Sequence, residues 1–174
     1  TLEKFEKSIS VADYMRNYIN VQEFLGYCRR CSNYDKVWSC PSYDFEPEEY
    51  WKKYNSLYVL GYKINFDGSE SEERSLEIMA EVKEKVTAEL FEMESAHPGS
   101  ISLSAGNCSL CGKGNCTRTS GAPCRHPDKM RYSIEALGGN VGKTVHDLLG
   151  IELEWIEEGK VPSYFVLVGG LLEK

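Results

Sequence analysis

The longest regular pattern of apolar positions lies in the middle of the chain. From Glu72 to about Ala96, apolar residues recur at steps of three and four between charged ones. They are Leu76, Met79, Val82, Val86, Leu90 and Met93. This spacing places an apolar stripe on one face of a helix, and the sequence HPG that follows is a helix stop. The pattern therefore predicts a long amphipathic helix.

Shorter apolar segments on both sides of this helix predict about four strands. Residues 56–66 are rich in β-branched and aromatic side chains, and residues 100–106 alternate between apolar and polar positions. Near the C-terminus, IELEWI (151–156) and SYFVLVGGLL (163–172) predict two more strands, which the sequence EEGKVP would join as a hairpin.

Capping signals predict the remaining helices. A capping residue followed three positions later by an acidic residue begins each of two helices. The pairs are Ser10 with Asp13 and Asn20 with Glu23, for helices over residues 11–18 and 21–27, the second of which delivers Cys28 at its end. Further helical segments are predicted in PEEYWKKYN, which begins at Pro47, in DKMRYSIEALGG and in GKTVHDLLG.

Together these elements predict an α/β (α+β) fold. We expect one cysteine-rich metal-binding domain over residues 1–174, with a mixed sheet of about four strands, helices packed on the sheet and two cysteine-rich loops.

Composition and charge narrow the class of protein. The 174 residues are 41% hydrophobic and 27% charged, which is typical of a globular protein with a sizeable core. The net charge of −7 argues against a nucleic-acid partner. No apolar run reaches the ~18 residues of a membrane helix, and TLEKFEKSIS lacks a stretch of signal-peptide length. We therefore expect a cytoplasmic protein without membrane or nucleic-acid partners.

All seven cysteines lie in two stretches, CRRCSNYDKVWSCP and CSLCGKGNCTRTSGAPCRHP. An odd number of cysteines without a secretory signal fits a disulfide framework poorly. The clustered CxxC spacings favour metal or redox sites.

The second stretch has the spacing C-x2-C-x4-C-x7-C and contains Cys108, Cys111, Cys116 and Cys124. Intervening glycines relieve the backbone crowding of so tight a loop. Four thiolates bind either tetrahedral zinc or a [4Fe–4S] cluster. The stepwise spacing favours the iron–sulfur cluster, with zinc and a redox or disulfide arrangement as alternatives.

The first stretch supplies three cysteines, Cys28, Cys31 and Cys40, and no obvious fourth ligand. They would hold a second cluster with one iron open to substrate, water or another donor. Alternatively, one of them is a buried structural thiol. In the sequence CRHP, His126 is expected to lie beside the metal rather than to bind it.

Four stretches together carry a resemblance to a known family: CRRCSNYDKVWSCP, GNCSLCGKGNC, PCRHPDKMRYSIEALGGNV and VPSYFVLVGGLL. They resemble an uncharacterised prokaryotic family of predicted metal-binding proteins that carries a domain of unknown function. The resemblance extends from about Asn20 to Leu172 and departs from the family where Ser42, rather than a second proline, follows Pro41. It implies a metal centre bound by cysteine, with all seven cysteines as matching positions, and implies no reaction.

The resemblance also draws attention to CRHPDKMRYSIEA. Arg125, His126 and Arg131 are the candidate cofactor-binding residues, because positive charge and N–H donors beside cluster sulfurs tune their potential. Ser133 and Glu135 are expected to cap or pair within a helix. The alternative is that these two residues, with Arg125 and Arg131, bind a substrate.

Three functions remain open. The favoured one is an electron carrier or accessory redox protein with one or two [4Fe–4S] clusters, whose acidic surface docks on a basic patch of a redox partner protein. The second is an enzyme in which an open cluster site on the first three cysteines acts on a small-molecule ligand. The third is a structural or sensing zinc protein.

Overall fold

Four strands form one antiparallel sheet in the computed structural model, which describes residues 1–154 and 157–174. The strands are β1 (Leu2–Ser10), β2 (Ser56–Asn65), β3 (Ile101–Leu103) and β4 (Tyr164–Glu173), in the spatial order β1-β2-β4-β3. The prediction of about four strands in an α+β fold is confirmed.

Neighbouring strands are antiparallel in every pairing rather than mixed. Strands β2 and β3 do run in the same direction and are joined by the long helix, as a strand–helix–strand unit requires. However, β4 lies between them and is antiparallel to both, which splits the unit.

The helices agree with most of the predicted segments. They are α1 (Val11–Tyr18), α2 (Val21–Cys28), α3 (Pro47–Lys52), α4 (Glu72–Ala96) and α5 (Val141–Leu149). The Ser10 and Asn20 side chains accept hydrogen bonds from the backbone N–H groups of Asp13 and Glu23, which confirms both predicted caps. None of the helices in the described parts of the chain is long and apolar enough to cross a membrane.

Two hydrophobic clusters cover the two faces of the sheet. On one face, Leu60 and Ile64 of β2 pack with Val86 and Leu90 of α4. On the other face, alternate residues of β2 and β4 pack against α1, α3 and α5. This second cluster includes the buried side chain of Trp51, whose Nε1–H donates to the carbonyl of Leu137 at 2.9 Å. The segment that follows the second cysteine loop is thereby tied to the core.

Three predicted elements were wrong or incomplete, and one strand was missed. The strand predicted over 100–106 ends at Leu103. The helix predicted in DKMRYSIEALGG is only a short 3-10 turn, Glu135–Leu137. Residues 151–154 form no strand, so the predicted hairpin is wrong there, while positions 155 and 156 lie outside the described residues. The missed strand is β1.

Candidate metal centre

The second cysteine loop begins where β3 leaves the sheet. Just beyond β3, the N–H of Ser104 donates to the carbonyl of Tyr132 at 2.9 Å, which turns the chain away from β4. Gly112 and Gly114 then adopt left-handed backbone conformations with φ of +83° and +76°. Glycine is the residue that tolerates these angles, so the tight turns predicted around the cysteines are present.

The loop arranges its four cysteines around a single cavity of about 540 Å³. Its walls include Cys108, Cys111, Cys116 and Cys124, together with His126 and the side chains of Lys36 and Lys113. Because Lys36 belongs to the first cysteine stretch, the cavity lies between the two stretches. All four cysteines of the predicted centre therefore line the same cavity.

The four thiols are close enough to affect one another. Burial raises the pKa of the Cys108 thiol, and the neighbouring thiols of Cys124, Cys111 and Cys116 raise it further, although the backbone N–H of Leu110 opposes the shift. Bringing four thiolates together needs a compensating positive charge. A bound metal supplies that charge, so binding and deprotonation are coupled.

The first group of cysteines is assembled from a helix end and a series of turns. Cys28 ends α2, the N–H of Cys31 donates back to its carbonyl at 2.9 Å, and Cys40 follows in the next turns. Burial raises the pKa of Cys28 to about 11, with further contributions from Cys40, Cys31 and the Glu135 carboxyl. The three thiols therefore lie in the same region of the molecule.

The buried Ser39 joins the two cysteine groups. Its hydroxyl oxygen accepts a hydrogen bond from the backbone N–H of Cys108 at 3.0 Å and lies 3.8 Å from the sulfur of Cys40. Burial raises the pKa of the Cys40 thiol, the hydrogen bond with Ser39 lowers it, and the Cys108 thiol adds a small further rise. The two groups thus lie against each other rather than at separate ends of the molecule.

Arg118, which the sequence did not identify, fixes the first stretch from the side of the second. Its guanidinium donates to the carbonyls of Val37 (3.1 Å), Cys40 and Ser42, which lie 76–81 residues earlier in the chain. The side chain is 12% exposed and pairs with Asp35 at 3.3 Å. No local motif marks an arginine whose partners are so distant in sequence.

Trp38 makes the reciprocal contact from the first stretch. Its Nε1–H lies 3.1 Å from the hydroxyl of Thr117 and 3.2 Å from the carbonyl of Ala122. The Arg118 guanidinium lies over its ring at 5.2 Å from the centre. The two stretches therefore form one packed unit, which the sequence showed only as two separate loops.

The three candidate cofactor-binding residues lie in different surroundings. Arg125 donates to the carbonyl of Asn115 at 2.6 Å and so braces the loop. The backbone N–H of His126 donates to the sulfur of Cys124 at 3.4 Å, and His126 also lines the cavity. Arg131 is instead held by Glu94 of α4 through two hydrogen bonds of 2.8 Å, which anchors the segment after the loop to the long helix.

Ser133 and Glu135 take part in the turn that replaces the predicted helix. The hydroxyl of Ser133 accepts from the N–H of Ala136 at 3.1 Å, but the 3-10 turn begins after Ile134 and has no side-chain cap, so the expected helix cap is not formed. One carboxyl oxygen of Glu135 is buried and has no hydrogen-bond partner in the described parts of the chain. Burial raises the pKa of this carboxyl, which lies close enough to Cys28 to affect it.

The spacing of the possible ligand side chains can be compared with the spacing that a single metal ion and a four-iron cluster each require. In residues 1–154 and 157–174, no three His, Cys, Asp or Glu side chains are grouped closely enough to hold one metal ion. Zinc binds sulfur at ~2.3 Å, which brings the four sulfurs to roughly 3.8 Å from one another. A single ion would therefore require the loop to contract. In a four-iron cluster each cysteine binds a different iron, which spaces the sulfurs more widely.

The sequence model of a protein family matches residues 15–172, and the family is described as Predicted metal-binding protein (DUF2284). The chain belongs to this family. The match includes both cysteine stretches and confirms the resemblance found in the sequence. No curated protein and no solved structure matches the chain. The family description predicts that the protein binds a metal, and it does not name the metal.

Proposed function

We propose that Cys108, Cys111, Cys116 and Cys124 bind a [4Fe–4S] cluster, and that the protein is an electron carrier or accessory redox protein. The observation that carries this proposal is the single cavity of about 540 Å³ that all four cysteines line. That space is much larger than the gap between four sulfurs around one ion. Four cysteine thiolates are also the usual ligands of a four-iron cluster.

The chain supplies groups that would tune such a cluster. The N–H of His126 already donates to the sulfur of Cys124, and Lys36 and Lys113 place positive charge at the cavity wall. Hydrogen bonds and positive charge beside the sulfurs stabilise the more negative, reduced state. When bound, the cluster supplies one-electron transfer, and these residues set the potential at which it operates.

The first group of cysteines is proposed to bind a second cluster. Cys28, Cys31 and Cys40 supply three sulfur ligands, so one iron would be held by a different donor. The contact of Ser39 with both groups supports electron transfer between two centres that are close together. The open iron is also what the alternative function, catalysis on a small molecule, would require.

The location and source of the protein are part of the same proposal. Cysteines that bind a metal must stay reduced, which a reducing compartment favours, so we place the protein in the cytoplasm. A prokaryotic origin follows the family resemblance.

Metal analysis tests the proposal directly. Iron, zinc and acid-labile sulfide are measured per chain in protein purified without oxygen, together with the visible spectrum. About four irons and four sulfides would place one cluster on the second cysteine loop, and about eight of each would add the first group. One zinc per chain without sulfide would overturn the redox function and leave a structural zinc protein.

A further inference from the structure

Charge is distributed unevenly between the cysteine stretches and the rest of the chain. We call residues 28–41 and 108–130 together the cysteine face. The cysteine face carries seven Lys and Arg against two Asp, whereas the rest of the chain carries 13 Lys and Arg against 25 Asp and Glu. A local charge of +5 therefore lies within a protein whose net charge is −7.

Most of these cations are exposed and available to a partner. The exposed ones are Arg29, Arg30, Lys36, Lys113, Arg125 and Lys129. Within the described residues, the ion pair of this face joins Arg118 to Asp35, and the six exposed cations form no ion pair with an acidic side chain. On α4, by contrast, Arg74 pairs with Glu77 and Glu81 of its own helix.

The proposed metal centres do not cancel this positive charge. In its oxidised state, a [4Fe–4S] cluster with four thiolates carries roughly two negative charges, and one with three protein thiolates carries roughly one. Both oxidised clusters together leave the cysteine face positive, and each electron that a cluster accepts adds one negative charge. Neutralising the cluster therefore accounts for only part of the positive charge.

One large apolar side chain lies within the cysteine face, and another lies directly before it in the sequence. Leu110, between Cys108 and Cys111, is 45% exposed and forms part of the cavity rim. Tyr27, which precedes Cys28 on α2, is 55% exposed. The helix α2 has no fully buried residue, although its sequence is largely apolar. Exposed apolar groups surrounded by charged ones are typical of a protein–protein interface.

We propose that the cysteine face docks an acidic surface of an electron-carrier protein, with Leu110 and Tyr27 at the contact and the six exposed cations around them. This inference rests on the proposed redox function. The net charge of −7 predicts a partner with a basic surface, whereas this proposal requires a partner with an acidic surface. At physiological salt, charges interact over only about 8–10 Å, so the face that makes contact governs docking rather than the whole chain.

Equilibrium binding of an acidic bacterial ferredoxin, used as the probe, tests the proposal on the metal-loaded protein. The variant Arg29→Glu/Arg30→Glu reverses two exposed charges of the cysteine face. The control, Lys7→Glu/Lys160→Glu, makes the same change in net charge at exposed positions outside this face. We expect the first variant to raise Kd roughly tenfold and to weaken its salt dependence, and the control to stay within about twofold of wild type.

Equal weakening in both variants, or no saturable binding of ferredoxin, would overturn the proposal. Binding of single-stranded RNA more tightly than ferredoxin would also overturn it and assign the face to nucleic acid. Circular dichroism of each variant checks that its fold is intact. The metal content of the same samples is measured separately, so that a protein that holds zinc yet binds ferredoxin would disprove the redox function without disproving the docking surface.

Discussion

The two cysteine groups differ in how the chain assembles them. The second group is local, because four cysteines within 17 residues surround one cavity with the help of glycine turns. The first group joins a helix end to turns whose backbone carbonyls accept hydrogen bonds from Arg118. The hydroxyl of Ser39 in these turns accepts from the N–H of Cys108 and so links them to the second loop. The four cysteines of the second group are therefore brought together within their own loop, whereas the arrangement of the first group also depends on contacts with that loop.

The thiols show the same difference. Cys28 is partly buried with its pKa raised to about 11, whereas Cys31, three residues later, is exposed. In the second group all four cysteines are partly buried. A centre with one exposed ligand is easier to lose or to open to a substrate, so we expect the first group to bind its metal more weakly.

The largest effect is expected from removing one ligand of each group in turn. Cys111→Ala should remove the metal of the second loop and, because that loop supports the first group, lower the metal content of both. Cys31→Ala should remove the metal of the first group alone. Iron and sulfide per chain measure both outcomes.

Equal metal loss in the two variants would contradict the dependence of one group on the other. Unchanged metal content in Cys111→Ala would disprove the proposal that the four cysteines of the second loop bind a metal.

A smaller effect is expected from Arg118→Ala. Three backbone carbonyls lose their donor, and we expect the free energy of unfolding to fall by roughly 3 kcal/mol. Because these carbonyls belong to residues 37–42, metal should be lost from the first group before the second. Denaturant unfolding and metal analysis give the two readouts.

Arg125→Ala is the matched control, since Arg125 is exposed and makes one hydrogen bond to a carbonyl. The Arg125→Ala substitution should lower the free energy of unfolding by less than about 1 kcal/mol. If Arg125→Ala lowers the free energy of unfolding as much as Arg118→Ala does, then Arg118 has no special role in supporting the first cysteine group.

The smallest effect is expected from Glu135→Gln, near Cys28. Burial raises the pKa of Glu135 above its ordinary value of 4.5, so the folded state holds the proton more tightly than the unfolded state. The contribution of Glu135 to the stability of the fold is therefore fully present below pH 4.5, its ordinary pKa, and is lost as pH rises through the folded-state pKa. Glutamine does not ionise, so the variant should be more stable at neutral pH, by on the order of 1 kcal/mol, with a flatter pH dependence.

Glu94→Gln is the opposite control. Burial raises the pKa of Glu94, but the hydrogen bonds from Arg131 and Ser102 together with the charge of Arg131 lower it below its ordinary value, so its contribution is lost as pH falls rather than as it rises. We measure the unfolding of wild type, Glu135→Gln and Glu94→Gln at matched metal content. The range runs from about pH 3.5, which is below the ordinary carboxyl pKa of 4.5, to about pH 8. Parallel curves for wild type and Glu135→Gln would contradict the prediction.

The sequence predicted the elements whose signals are local. The caps of α1 and α2 and the apolar stripe of α4 were read correctly, because capping and amphipathic spacing act within one helix. The strand β1 was missed because its burial is slight, with only Phe5 and Ile9 partly buried. Backbone pairing with β2, rather than an alternating apolar pattern, holds β1 in the sheet.

The segment after the second cysteine loop was misread for a tertiary reason. DKMRYSIEALGG has helix-forming residues, but the carbonyl of Tyr132 accepts from Ser104, and the carbonyl of Ile134 accepts from Gly139. These bonds replace a regular helix. The same limit hid Arg118, whose partners are 76–81 residues away, whereas the seven cysteines were visible from spacing alone.

The position of β4 has a consequence for biosynthesis. This strand separates β2 from β3 and is the sole partner of β3 within the described sheet, yet it follows both cysteine stretches in the chain. A ribosome therefore exposes all seven thiols before the support of the second loop can be completed. During that interval the cysteines belong to an unfinished sheet, and strand pairing across a long sequence separation is slow. Metal delivered after release of the chain meets a finished site, whereas metal present earlier meets free thiols on an open chain.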